Sequence, residues 1–210
     1  MCLIRKRSGL RRNSKVTDHA KILRDALSQP GSASSDFDLN PGVVLPEGRK
    51  LTPAAVLVGF RDNGDLLLTK RSARLKHHPG QIAFPGGKQD PEDTDLSATA
   101  LREAQEEVGL PSDRVEILGT LPTHETVTSF TVTPIVALIK GNFAEVLEEG
   151  EVAEVFHVPF AHVTDPIRFR IEGRRWRGQR RHYYVAPFGP YYIWGATARI
   201  LQSLATRVAG

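Results

Sequence analysis

From Leu96 to Val108 the chain reads LSATALREAQEEV, thirteen residues without glycine or proline, and Gly109 followed by Leu110 and Pro111 closes the run. Leu, Ala, Arg, Glu and Gln favour helix, glycine accepts the left-handed conformation that ends one, and proline cannot continue it. A helix over 96–108 is therefore the most constrained element of the chain, and its neighbours must pack on one of its faces. At about 100° per residue, Ala100, Leu101, Ala104 and Val108 gather on one side, while Glu103, Glu106 and Glu107 share an arc on another. The first set predicts a core face and the second a carboxylate cluster.

The flanking segments predict strands. LTPAAVLVGF and DLLLTKR, joined by the turn-forming RDNG, predict an opening hairpin. VEILGTLP, FTVTPIVALI and VAEVFHVP predict further strands, RFRIEGRRWRGQRRHYYVA two strands about Gly178, and GATARILQSLATRV a closing helix. Strands on both sides of a central helix predict an α/β fold with a mixed sheet between helices. Upstream, TDHAKILRDALS predicts a short helix capped by Thr17, with Ile22, Leu23 and Leu27 near one face. The Pro, Gly, Ser and Asp content of residues 29–49 predicts a loop or linker, so residues 1–49 are expected to precede a main domain over 50–210. Across 210 residues, 40% hydrophobic content suffices for one packed core.

One cysteine, Cys2, excludes an internal disulfide and multi-cysteine metal sites, and favours a reducing, cytoplasmic location. No apolar run approaches the roughly 20 residues needed to cross a bilayer, so no membrane partner is expected. Six bases come before Asp18, the first acid, and predict a disordered basic tail, with a transit sequence or a phosphate-binding arm as the alternatives.

Although the chain carries a net charge of +4, Phe84 to Leu110 holds seven acids against two bases. Like charges at i, i+3 and i+4 destabilise an isolated helix, so something should offset them. The spacing alone suits a solvated face as well as it suits a hard divalent cation, which prefers carboxylate and water oxygens and is completed by phosphates. FPGG just upstream tips the balance, because adjacent glycines let backbone approach a ligand and the helix without a Cβ in the way.

Together these residues resemble the Nudix hydrolase box. Gly87 is followed by five residues and Asp93, then by eight residues and Arg102-Glu103-Ala104-Gln105-Glu106-Glu107-Val108-Gly109-Leu110. The second half fits throughout, with Ala104 at an aliphatic position. In the first half Asp93 stands where the family has Glu, and the loop holds one extra residue. The longer loop is similar to that of the coenzyme A pyrophosphatase branch, as are LLTKRSARLKHHPGQIAFPGG from Leu67 to Gly87 and the closing YYIWGATARIL. The resemblance covers roughly residues 51–204. It implies the Nudix α/β/α sandwich with a mixed central sheet, and hydrolysis of the diphosphate of coenzyme A or acyl-coenzyme A to 4′-phosphopantetheine, or its acyl form, and adenosine 3′,5′-bisphosphate.

The resemblance also implies roles. Glu103, Glu106 and Glu107 would hold Mg2+ or Mn2+, with Arg102 orienting the helix residues and Asp93 as its partner. The catalytic base would be Glu103 or Glu151, the latter read equally as a solvated residue. Arg71, His78 and Gln81 would bind substrate along with Gly86 and Gly87, although polar loop residues such as His78 and Gln81 often only satisfy backbone groups. His77 is read as surface. Seven arginines and one acid between Arg168 and Arg181 suggest a polyanion, the 3′-phosphate of coenzyme A, or a solvated hairpin. The alternatives are another diphosphate such as ADP-ribose, a dinucleotide polyphosphate or a nucleoside triphosphate, and, in another class, a nucleic-acid-binding module on this scaffold. Three carboxylates near a polyanion count against nucleic acid as partner, and the oligomeric state stays open, a homodimer included.

Overall fold

The computed structural model describes residues 14–176 and 178–210, with side chains described from His19 onward except that of Trp176. Cys2 and the basic run up to Arg12 lie outside the described residues. Helix α1 spans Ser14–Ser28, a turn longer at its start than the sequence suggested. Thr17 therefore lies inside it rather than capping it, since nothing in Ser14-Lys15-Val16 breaks a helix.

The chain then forms β1 (Ser34–Ser35), β2 (Thr52–Arg61), β3 (Leu66–Arg71), β4 (Ile82–Ala83), β5 (Gly86–Lys88) and α2 (Leu96–Val108). Strands β6 (Val115–Thr120), β7 (His124–Glu125), β8 (Phe130–Ile139) and β9 (Val152–Val158) follow, then the short α3 (Phe160–Val163). A hairpin of β10 (Arg170–Trp176) and β11 (Gln179–Val185) leads to α4 (Gly195–Ala209).

Nine of the described strands form one mixed sheet. At its centre β2 runs parallel to β8 over ten residue pairs, from Thr52↔Phe130 to Arg61↔Ile139. Antiparallel pairings add β3 and β5 to β2, β4 and β9 to β3, and β6 and β7 to β8. Because β2 is covered on both faces, AAVLVGF can be apolar without alternation.

One face of the sheet presents Ala55, Leu57, Leu67, Ile135, Ala137 and Ile139 to Ala100, Ala104 and Val108 of α2. The other presents Val58, Phe60, Leu68, Val136 and Phe156 to Leu201 and Leu204 of α4 and to Leu23 and Ala26 of α1. The layers are thus helix, sheet, helix. Each fully buried leucine stabilises this arrangement by about 1.5–3 kcal/mol.

Residues 29–49 do not behave as a free linker. Gln29 donates to the Arg207 carbonyl at 2.9 Å and its own carbonyl accepts from Arg207 Nη1 at 2.6 Å, joining α1 to α4. Strand β1 pairs with β7, Asp36 lies 3.1 Å from His124 Nε2 and accepts the Val127 N–H at 2.9 Å. The Asn40 amide accepts the His182 N–H at 2.8 Å and donates to the His182 carbonyl at 2.9 Å, as a neighbouring strand would. Polar side chains do here what apolar periodicity does elsewhere, which is why composition suggested only a loop.

Candidate active site

Asp95 caps α2 by accepting the Ala98 N–H at 2.8 Å, and Gly109, at φ 70°, ends it with its N–H directed to Ala104 and Gln105 carbonyls. The cap contributes about 1 kcal/mol and fixes where the helix begins. Strand β5 then lays Gly86 and Gly87 over the helix by pairing with Ala54–Val56 of β2. A Cβ on Gly87 would stand 2.4 Å from Glu103 Oε1 and displace that carboxylate, while one on Gly86, at φ 154°, would stand 2.4 Å from the Ala55 carbonyl oxygen, which cannot give way.

Glu107 faces the same loop. Its side chain belongs to a residue only 5% exposed, and its Oε2 accepts the Gly86 N–H at 3.3 Å. Burial first, and then the charge of Glu103, push its carboxyl up to about 8. Burial likewise raises Glu103, against the guanidinium of Arg102. The helical-wheel grouping thus divides: Glu106 is exposed, while Glu107 belongs to the covered side because β5 folds over it.

Arg102 organises the acids. Its Nε and Nη2 reach Asp93 Oδ1 and Oδ2 at 3.0 and 3.1 Å, a two-pronged pairing. The same side chain donates to Glu106 Oε2 at 2.9 Å, Glu103 Oε1 at 3.0 Å and the Lys88 carbonyl at 3.2 Å. Asp93 also accepts from the Asp90 N–H and the Thr99 hydroxyl, each at 2.9 Å. The Arg102 hydrogen bond, with that of Asp90 behind it, holds the Asp93 carboxyl well below the usual carboxylate range.

The remaining residues arrive from β3 and β9. Their antiparallel pairing, with a bulge between Lys70 and Arg71, sets Arg71 opposite Val152, and Ser72 donates to the Glu151 carbonyl at 2.7 Å. The charges of Arg71 and Glu151 both act on Glu107, and that of Glu151 also on Glu103. The segment leading to Glu151 docks on the end of α2, where Val146 and Glu148 donate to the Val108 and Glu107 carbonyls at 3.1 Å each.

His78 and Gln81 lie on the loop between β3 and β4. The loop carrying them is closed at its base by Arg71 donating to the Gln81 carbonyl at 2.9 Å and Gly80 to the Arg71 carbonyl at 3.1 Å. His78 is exposed at a positive φ of 54°, a conformation that costs a non-glycine residue energy. Gln81 lies beside the start of α4, where Thr197 also donates to the Ile82 carbonyl at 3.0 Å.

Glu103, Glu106, Glu107 and Glu151 are hard oxygen donors of the kind Mg2+ and Mn2+ accept. Glu107 in particular is a buried carboxylate with a single long hydrogen bond and a like charge beside it, the situation a bound cation relieves. The donor chemistry fits. Convergence is a different matter: among the described residues no three His, Cys, Asp or Glu side chains stand together in ligating geometry. Arg102 pairs with Glu103 at 3.0 Å and with Glu106 at 2.9 Å, while the charge of Glu103 acts on Glu107.

Sequence reasoning missed Thr99 and residues 145–150. Thr99, fully buried in the first turn, was signalled only by a β-branched hydroxyl in an otherwise Ala-, Leu- and Glu-rich helix. The segment carries no local signal, since its carbonyl partners lie about forty residues upstream.

Residues 50–177 match the NUDIX domain family. The chain is 43% identical to an uncharacterized Nudix hydrolase, NudL, of Citrobacter koseri over 83% of its length and 92% of that relative. It is also 43% identical to the corresponding NudL of Cronobacter sakazakii, over 93% of its length and 97% of that relative. Among solved structures, the MutT protein of Methanosarcina mazei Go1 is similar at 24% identity and a TM-score of 0.46, over 56% of this chain and 83% of that one.

Proposed function

The chain belongs to the NUDIX domain family, and from that premise we propose that it is a divalent-metal-dependent pyrophosphohydrolase acting on the diphosphate of coenzyme A or acyl-coenzyme A. One observation carries the reading. The segment running from Leu67 through FPGG, which marks the branch, folds directly onto the acidic helix: Gly86 donates to Glu107, Gly87 leaves room for Glu103, and the charge of Arg71 reaches Glu107.

Glu103, Glu106 and Glu107 would hold Mg2+ or Mn2+, which when bound supplies neutralisation of phosphate charge and acidification of water. The protein's own groups do the rest. Gly86 and Gly87 admit the diphosphate without a Cβ, and the fork of Arg71 pairs with its oxygens. Glu151 or Glu103 takes a proton from the attacking water as its oxygen bonds to phosphorus and the bridging P–O bond breaks, giving 4′-phosphopantetheine and adenosine 3′,5′-bisphosphate. Arg102, anchored by Asp93, orients Glu103 and Glu106. His78 and Gln81, at the rim, meet the parts of the substrate beyond the diphosphate. On this reading the hydrolase domain comprises residues 50–210 and is preceded by residues 1–49.

The test is product identification by mass after incubating the protein with coenzyme A, ADP-ribose and a nucleoside triphosphate, each with Mg2+, with Mn2+ and with chelator. The expected result is metal-dependent release of 4′-phosphopantetheine, with coenzyme A the best substrate. Cleavage of ADP-ribose alone would keep the chemistry and replace the substrate, and no cleavage under any condition would overturn the proposal.

A further inference from the structure

The hairpin of β10 and β11 is a separate two-stranded sheet, and its register reveals what the arginine-rich sequence conceals. Arg174 pairs directly with Arg181, and Arg175 with Arg180. Successive residues of a strand point to opposite faces, so one like-charged pair occupies each face near the turn at Gly178. Like charges directly opposite one another destabilise a sheet. Among the described residues no carboxylate forms an ion pair with Arg174, Arg175, Arg180 or Arg181, and the buried Arg181 Nε has no hydrogen-bond partner. By contrast Arg170, nearer the base, pairs with Glu172 at 3.2 Å.

We infer that this hairpin is a docking ribbon for duplex DNA. Charge on both faces selects among anions. A single phosphate group would need the arginines to converge on one face, and a lipid surface would meet one face only. The major groove of B-form DNA, about 12 Å wide, admits a two-stranded antiparallel ribbon and presents phosphates on both walls. The corresponding groove of an RNA duplex is too deep and narrow. Beyond His182, where Asn40 holds the ribbon, three residues of each strand project by about 10 Å, enough for a groove about 8.5 Å deep.

The carboxylates of α2 do not oppose this contact. Tyr184 of the hairpin packs into the core shared with α4, while α2 closes the opposite face of the sheet. Asn40 fixes the ribbon to the body through the His182 N–H and carbonyl. The net charge of +4 favours approach to a polyanion from any direction, and the hairpin gives that attraction a place.

The test measures affinity of the full chain for a labelled mixed-sequence DNA duplex of about two helical turns, across salt from about 50 to 200 mM. Each arginine that neutralises a phosphate contributes about −0.9 to the slope of log affinity against log salt. R174Q/R181Q and R175Q/R180Q are each expected to reduce the slope by about two and to weaken binding at least tenfold. K21Q/K140Q, which removes the same charge from surface lysines elsewhere, is expected to change the slope little. Equal losses from that control would show attraction by net charge alone and overturn the inference. So would unchanged binding by both arginine variants, or preference for an RNA duplex of equal length or for phosphatidylserine vesicles. A raised KM for coenzyme A with unchanged DNA affinity would assign the arginines to a substrate phosphate instead. Melting curves of each variant verify the fold.

Discussion

Two regions of this chain concentrate charge of one sign, and the structure treats them oppositely. On α2 and its preceding loop, one arginine gathers the acids: Arg102 touches Asp93, Glu103 and Glu106 at 3.1 Å or less. At the tip of the β10–β11 hairpin, four arginines stand in cross-strand pairs that no acid touches among the described residues. The acidic region buries one of its charges, Glu107, beneath a glycine loop, while Arg174, Arg175 and Arg180 are exposed. A run of like charge in sequence therefore carries no fixed meaning. Its meaning depends on which partner the fold supplies and on how much water it removes.

The contrast is broken most directly at Glu107. Glu107→Gln is expected to leave the fold intact and to lower turnover at least about a hundredfold, because most stabilisation of charge in the transition state would leave with the cation. Near-normal turnover in a folded variant would place Glu107 among ordinary buried acids. A smaller effect concerns stability. The Glu107 carboxyl titrates in the folded, metal-free protein near 8 and in the unfolded chain near 4.3, so between these values the unfolded state binds fewer protons. Metal-free stability should accordingly fall as pH rises through this window, and divalent cation should restore more of it at the upper end than at the lower. Thermal melting at a series of pH values would show the slope, and Glu107→Gln should flatten it. An unchanged slope in that variant would assign the pH dependence elsewhere. The smallest effect lies in the hairpin, where R175Q/R180Q should raise stability by about 0.5 kcal/mol by relieving a like-charged pair. A loss of stability in denaturant titrations would mean that these arginines have partners after all.

Local chemistry made α2 readable to the residue, since a run free of glycine and proline ends at Gly109. Strand β8 was equally plain as FTVTPIVALI. Its parallel pairing with β2 was not, because register between strands some seventy residues apart is decided by the whole core rather than by either segment. The pairing of Arg102 with Asp93 was anticipated from the family pattern, and the structure places those two side chains in contact. The burial of Glu107 was hidden, because three acids on one arc look alike until β5 covers one of them. Glu151 reaches the cluster only through the β3–β9 register, a relation no window of sequence contains. Residues 29–49 are largely loop, as their composition indicated, but their anchoring was hidden: Asp36 and Asn40 look like turn formers and act as tethers.

The pairing of Gln29 with Arg207 spans 178 positions of sequence, and with it α1 completes a core that α4 must close. During synthesis at about 5–20 residues per second, α1 therefore leaves the ribosome roughly 10–40 seconds before its partner is made. For that interval Leu23 and Ala26, both buried in the finished molecule, are apolar surface on a nascent chain. Only when Leu201 and Leu204 of α4 have been made can that surface leave water.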